Sequence, residues 1–300
     1  MWKLQFNGSY SLKTIKIKVW LTISCAIVLA ESLIMLLFWL IPSIPPLIQT
    51  LIDVFLLTLV VVPLMYWLDS VQMKKTAQTL HASNQLLQGT QDQALSLLIA
   101  LAAAHDDQTG QHLVRSRLFV RVLAERLKKM GHYLDELNDD FIKVLYKVAP
   151  LHDIGKVGVP DSILNKPARL EVDEWALMMT HAATGASILN AAKESFDADH
   201  GLIATAAKIA ESHHEKWNGS GYPKGLKGLD IPLAARIMSL ADMYDALTGE
   251  RPYKAAWTHE QAIQEVIRMK GIAFDPIVVE AFLLEESNFK QISDDFRADS

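Results

Sequence analysis

Five of the ten histidines lie in or beside stretches with helical patterning, and two of them are followed directly by another potential metal ligand. His152 precedes Asp153, and His213 precedes His214. Imidazole and carboxylate are ligands for iron, manganese or zinc, whereas a zinc finger is excluded because the chain has one cysteine. A single histidine is more often a hydrogen-bonded core or surface residue, but the adjacent pairs favour a metal site. The five histidines are His112, His152, His181, His213 and His214.

Two longer segments surround these pairs. Leu151–Pro160 resembles the signature of the HD phosphohydrolase superfamily, and Ser212–Gly225 is similar to the HD-GYP subfamily in particular. The segments Arg236–Thr248 and Arg251–Tyr253 extend the similarity. The resemblance therefore covers roughly residues 95–285, and its motifs are long and in order.

The resemblance implies a helical, metal-dependent phosphodiesterase that hydrolyses cyclic di-GMP to linear pGpG and often on to GMP. It assigns catalytic roles to two residues: Asp153 would bridge two metals, and Lys156 would hold a substrate phosphate. The positions that match metal ligands of the family are His112, His152, Asp153, His181, His213, His214 and Asp242.

Such a centre suits an anionic phosphodiester. Two divalent metals, two carboxylates and a bridging hydroxide together keep a net positive charge. Paired metals also lower the pKa of the bridging water and stabilise the leaving oxygen. Lys156 follows His152 by four residues, so an α-helix would carry its ammonium to the same opening. Iron and manganese are the metals we expect, and zinc, nickel and magnesium stay open because His and carboxylate ligands suit several ions.

Candidate substrate contacts carry two interpretations each. Tyr222, in the glycine-rich loop 219–225, is either a guanine-stacking residue or part of a plain surface turn. Arg236 and Arg251 are either guanine or phosphate contacts or partners of acidic residues on a helix surface. Asp245 follows Asp242 by three residues, so it either supports a metal ligand or lies on the helix surface.

Three positions depart from the pattern of the family. Relatives with a third metal have a glutamate where this chain has Gln108, so we expect two metals per site. His105 replaces a usual arginine, which puts the salt bridges of that arginine in doubt. Pro150 removes a backbone donor just before the metal-binding segment and is expected to kink the helix there.

The elements that must position these residues are helical. From about residue 95, Ala, Leu and Glu dominate the periodic stretches and no alternating run suggests a sheet, which predicts an all-α domain over 99–285 followed by a tail, 286–300. Residues 69–98 predict a linker helix. Their seven-residue apolar spacing gives weak support for a coiled coil that would join two copies in a parallel homodimer.

The first 68 residues predict a transmembrane hairpin. Residues 19–68 contain two charged side chains, Glu31 and Asp53, and the stretches 19–40 and 47–68 are each long enough for one helical crossing. Lysines flank both spans, so we expect both ends in the cytoplasm and the chain in the bacterial inner membrane; a cleaved signal peptide is the rival interpretation. The two acids either contact each other and share a proton, or are both protonated and have no signalling role.

Charge arithmetic limits the partners. Four lysines against two acids give the first 68 residues +2, which leaves −7 for residues 69–300 out of the overall −5. This acidity argues against DNA binding. Cyclic di-GMP, the membrane and signalling proteins are the expected partners. The alternatives are a non-catalytic cyclic di-GMP receptor or scaffold, and an HD hydrolase that acts on another nucleotide.

Overall fold

The computed structural model describes residues 12–41, 45–105, 110–195, 201–249 and 256–296. Within these ranges every regular element is helical, so the prediction of an all-α protein is confirmed. The α-helices are α1 (Leu12–Leu40), α2 (Pro46–His105), α3 (Gly110–Lys129), α4 (Asp139–Val148), α5 (Asp161–Leu164), α6 (Val172–Ser195), α7 (Leu202–Ser212), α8 (Leu233–Thr248), α9 (His259–Arg268), α10 (Pro276–Leu283) and α11 (Glu286–Asp295). Short 3₁₀ turns cover Ala149–Leu151, Ile154–Gly158 and Gly228–Asp230.

The N-terminal unit, residues 1–91, contains α1 and most of α2. The first helix ends at Leu40 and the second begins at Pro46, which agrees with the predicted break at the prolines. Both helices contain a stretch that is long and apolar enough to cross a membrane, by length and composition only. The predicted second span and linker form one continuous helix, which Gly89 does not interrupt because a helix accepts a single glycine at small cost.

The second unit spans residues 92–300 and holds one hydrophobic core. It begins inside the stretch that the sequence assigned to the linker, and Leu95 is already buried in it. Helix α3 packs against α4, α8, α10 and α11, while α6 packs against α7 and against the 3₁₀ turn Ile154–Gly158. These contacts bring the helices that carry the histidines together.

Helix α11 lies in the stretch that the sequence assigned to a C-terminal tail. Its Phe289 is fully buried and stacks on Phe119 of α3 at a ring-centroid distance of 4.5 Å. The same ring meets Tyr244 and Phe282 edge-on. The packed domain therefore continues to Asp295, because Phe289 buries an aromatic side chain that the motif-based boundary at 285 left out.

Pro150 marks a change of helix type beside the metal-binding pair. Helix α4 ends at Val148, and Pro150 occupies the start of a 3₁₀ turn where its missing N–H needs no partner. The prediction that one α-helix carries both His152 and Lys156 is therefore wrong, because the chain continues in a second 3₁₀ turn, Ile154–Gly158. A Cβ on Gly155 would lie 1.9 Å from the carbonyl oxygen of His181, so only glycine permits the close approach of this turn to α6.

Candidate metal centre

The structure brings all seven predicted ligand residues together in two groups. The first group draws on the turn after α4, on α6 and on the end of α7; the second draws on α3, on the same turn and on α8. In each group the potential ligand atoms lie within 4.8 Å of one another. The first group is Asp153, His181, His213 and His214, and the second is His112, His152 and Asp242.

Three histidines are oriented by backbone carbonyls of their own segments. The Nδ1 atoms of His152, His181 and His213 lie 2.9, 2.6 and 3.0 Å from the carbonyl oxygens of residues 149, 178 and 209. A hydrogen bond from Nδ1–H to a carbonyl leaves the Nε2 lone pair available for a metal. These three Nε2 atoms are buried and lack a hydrogen-bond partner within the described residues, which is costly unless a cation occupies the space between them.

His112 is oriented differently, by a carboxylate from a distant helix. Its Nδ1 lies 2.5 Å from Asp245 Oδ2, and Arg115 donates to the same carboxylate through Nε at 2.5 Å and Nη2 at 3.0 Å. Asp245 is 3% exposed and contacts the candidate ligand His112, so the interpretation that places it on the helix surface is wrong. Burial raises the pKa of Asp245, but the hydrogen bonds from His112 and Arg115 outweigh it and lower the pKa.

Asp153 joins the two groups. Its Oδ2 lies 3.3 Å from His152 Nε2, and its Oδ1 lies 3.4 Å from His181 Nε2 and 3.5 Å from His213 Nε2. Lys156 Nζ lies 2.8 Å from Oδ2. Burial raises the pKa of Asp153, but Lys156 and His152 lower it well below its usual range, so the carboxylate is charged.

The charges at the centre favour a cation. Burial lowers the pKa of His152, but the Asp153 and Asp242 carboxylates raise it to about 10. Burial and His213 lower the pKa of His214 to about 2, so its imidazole is neutral and can act as a ligand. Partly buried carboxylates beside imidazoles are compatible with divalent metal ions, whose binding would displace the proton from His152, and the residues therefore fit the group that the sequence implies.

Tyr222 lies against the first group. Its ring stacks on His214 at 4.8 Å with an interplanar angle of 28°, and it meets His181 edge-on at 6.4 Å. Glu215, a buried residue that the sequence analysis did not select, accepts hydrogen bonds from the backbone N–H groups of Lys224 and Leu226 at 2.7 and 3.0 Å. The loop around Tyr222 is thus anchored to the chain immediately after the candidate ligand His214.

A glycine is required in this loop for the same close packing. A Cβ on Gly221 would lie 2.3 Å from the backbone nitrogen of Lys216 and 2.5 Å from Cα of Glu215. A larger residue would displace the loop. The sequence signal for the anchor was present, because Glu215 directly follows the two adjacent histidines.

Trp175 is a second aromatic residue beside this loop that the sequence analysis did not select. It lies in the first turn of α6, and its ring meets Tyr222 at 6.5 Å with an interplanar angle of 82°. Its side chain is 49% exposed. No periodicity in the sequence connects residues 175 and 222, so only the packing of the loop on α6 reveals the pair.

Arg236 lies in the core. It is 6% exposed, donates through Nη1 to Asp275 Oδ2 at 2.5 Å and through Nε to the Ile231 carbonyl at 2.9 Å, and its guanidinium covers the Tyr133 ring. Of the two interpretations of Arg236, the structure shows the ion pair with an acidic residue. The pair is buried, whereas the sequence predicted a pair on a helix surface. Arg251 and Gln108 lie outside the described residues, and so does the side chain of His105.

Sequence comparison with known proteins identifies the family of this chain. Residues 96–278 match the HD domain family, a match that covers more than half of the chain. A probable cyclic di-GMP phosphodiesterase of Vibrio cholerae serotype O1 is 49% identical over 206 residues, which are 69% of this chain and 47% of that protein.

Two further relatives come from the same organism. A cyclic di-GMP phosphodiesterase is 43% identical over 219 residues, which are 73% of this chain and 44% of that protein. The 3'3'-cGAMP-specific phosphodiesterase 2 is 44% identical over 180 residues, which are 60% of this chain and 32% of that protein. The chain thus spans less than half the length of each of these relatives.

Proposed function

This chain belongs to the HD domain family, and on that premise we propose that it is a membrane-anchored, metal-dependent phosphodiesterase of the HD-GYP type. Its proposed reaction is hydrolysis of cyclic di-GMP to linear pGpG, with GMP as a further product. One observation carries the proposal: the charged Asp153, 2.8 Å from Lys156, has one oxygen 3.4 Å from His181 of the first group and the other 3.3 Å from His152 of the second. Two relatives described as cyclic di-GMP phosphodiesterases support the choice of substrate.

The proposed centre holds one divalent metal in each group, iron or manganese before zinc, nickel or magnesium. Asp153 is the proposed bridging ligand because its two oxygens face histidines of both groups. Bound metals would supply Lewis-acid stabilisation of the phosphoryl oxygens and a water of lowered pKa. The imidazoles and partly buried carboxylates of the two groups would hold the two ions.

Side chains around the centre would supply the remaining chemistry. The Lys156 ammonium, 2.8 Å from Asp153, is the proposed contact for a phosphoryl oxygen, where negative charge develops during hydrolysis. Tyr222 closes one side of the centre through its stack on His214. A local cationic centre also explains how a part of the chain with a net charge of −7 can capture an anion.

We assign α1 and the apolar part of α2 to the proposed membrane anchor, with the metal centre in the cytoplasm. The apolar windows of the two helices are 11% and 0% buried, which leaves large apolar side chains exposed along their length. Lipid contact would remove that surface from water. A homodimer through α2 and contacts with signalling proteins complete the proposal, and the charge pattern gives no support for DNA as a partner.

The proposal is tested with the full chain purified in detergent, loaded with Mn²⁺ or Fe²⁺, and incubated with cyclic di-GMP. We expect pGpG to appear by chromatography, with GMP following, and we expect no product after chelation of the metal. 3'3'-cGAMP is the second substrate to test because a relative is described as specific for it. Binding of cyclic di-GMP without product would contradict the enzyme and favour the receptor.

Metal stoichiometry is a separate test of the centre. We expect two metal ions per chain, since Gln108 replaces the glutamate of relatives with a third ion. Elemental analysis of the purified protein measures this number directly. Three ions per chain in the wild type and two in Gln108→Ala would contradict the two-metal proposal.

A further inference from the structure

We propose that Trp175 is a substrate-binding residue whose indole, together with Tyr222, forms a platform for one purine base of the substrate. This inference rests on the proposed function, because it concerns the nucleotide whose phosphodiester occupies the metal centre. The recognition is by ring stacking and therefore suits purine dinucleotides as a class. A stacking surface of this kind does not by itself separate guanine from adenine.

Trp175 lies on the helix that carries a candidate metal ligand. Trp175 and the ligand His181 belong to the same helix, α6, six residues apart, so about 9 Å of helix axis separates them. The Tyr222 ring lies between the two, with ring-centroid distances of 6.4 Å to His181 and 6.5 Å to Trp175. A nucleotide places its base one ribose away from its phosphate. A base beside Trp175 is thus compatible with a phosphate at the metal centre.

The Trp175 and Tyr222 rings together have a shape that suits a planar base. The two rings meet at 82°, so they form a corner in which a planar group can stack on one ring and contact the other edge-on. Tyr222 forms a fixed side of this corner, because its ring is stacked on His214 and the loop that follows it is anchored by Glu215. The indole carries no charge, which suits an uncharged base while Lys156 attracts the phosphate.

Trp175 differs from other exposed apolar residues in what it contacts. Single exposed apolar side chains are common on protein surfaces and need no functional explanation, and Leu177 on the same helix is one of them, with 48% exposure. Trp175 has almost the same exposure, 49%, but it also contacts an aromatic ring that itself stacks on a candidate metal ligand. The two residues lie two positions apart and so point from different faces of α6. Leu177 is therefore the matched control.

The experiment uses the full chain in detergent and compares the wild type with Trp175→Ala, Trp175→Phe and Leu177→Ala. Two substrates are measured: cyclic di-GMP, and methyl p-nitrophenyl phosphate, a phosphodiester without a nucleobase. We expect Trp175→Ala to raise KM for cyclic di-GMP about tenfold, with kcat nearly unchanged, because base stacking on an aromatic residue contributes at this level. We expect Trp175→Phe to recover most of this loss, and Leu177→Ala to leave KM unchanged.

Hydrolysis of the base-free diester separates a substrate contact from a structural role. We expect it to be the same in the wild type and in Trp175→Ala. Equal losses on both substrates would show damage to the centre and overturn the platform, as would a KM for cyclic di-GMP within twofold of the wild type.

Equilibrium dialysis with labelled cyclic di-GMP keeps this test distinct from that of the proposed function. A wild type that binds without hydrolysis, and loses about tenfold in affinity in Trp175→Ala, would refute the enzyme and support the platform. Hydrolysis in the wild type without any effect of Trp175→Ala would refute the platform alone. Absence of both binding and hydrolysis in the wild type would refute both.

Discussion

The two ligand groups of the metal centre hold their histidines in different ways. In the first group, His181 and His213 donate to carbonyls three or four residues earlier in the same helix. In the second group, His152 donates in the same way to the carbonyl of residue 149, but His112 is oriented by Asp245, which lies 133 residues away along the chain and is itself held by Arg115. Local geometry thus orients His181 and His213 of the first group, whereas the orientation of His112 in the second group depends on the packing of α3 against α8. This difference predicts that the second group is the more easily disturbed.

The largest effect is expected where the two groups meet. Replacement of Asp153 by alanine removes the residue whose oxygens face both groups, and we expect hydrolysis of cyclic di-GMP to fall about a thousandfold or more. Activity assays and metal analysis on the same preparation measure it, with Asp173→Ala, an exposed acid on α6, as control. Retained activity in Asp153→Ala would remove the basis for treating the two groups as one centre.

Asp245→Ala is expected to have a smaller effect, which is confined to metal binding by the second group. Loss of the partner of His112 Nδ1 frees the ring to rotate, and outer contacts of this kind change metal affinity about 10-fold to 100-fold. We expect one of the two ions to be lost at low free metal while the other stays bound. Metal titration of the purified chain checks this, with the exposed Asp230→Ala as control. Equal weakening of both ions would break the distinction between the groups.

Arg115→Lys sharpens the same comparison with a smaller change. Lysine keeps the positive charge beside Asp245 but cannot donate two parallel hydrogen bonds to the carboxylate. We expect a loss of about threefold in affinity for the second-group ion and no change for the first. Metal titration against the wild type measures it. A loss as large as that of Asp245→Ala would show that the arginine fork, and not the carboxylate, orients His112.

The smallest effect is expected in the pH dependence of stability after removal of metal. The folded pKa of Asp245 is lowered below its usual 3.8, so its charged pairing stabilises the fold above that pH and is lost as pH falls through the folded pKa. We expect Asp245→Asn to be less stable than the wild type by roughly 1–2 kcal/mol at pH 7. The gap should narrow as pH falls below about 4. Thermal melts of the chelated chain from pH 7 to pH 3 test this, and a constant gap would contradict it.

The resemblance to the HD-GYP subfamily was sufficient to name the seven residues that the structure brings into the two groups, because each stands at a position that matches a metal ligand of the family. The sequence also determined the helical class, through apolar periodicity and its proline and glycine breaks, and it located two stretches apolar enough for a membrane. These properties depend on residue type and on neighbours within a few positions. Local sequence records them directly.

Only the tertiary structure decided how the residues are divided and supported. It divided the seven ligands into two groups, paired His112 with Asp245, buried Arg236 against Asp275 and set Trp175 beside Tyr222. Each of these contacts joins different elements of the chain, and their meeting depends on how whole helices and loops pack. The spacing of residues along one helix carries no information about that packing, because side chains three or four positions apart meet by helix geometry while those on separate helices meet only in the folded core.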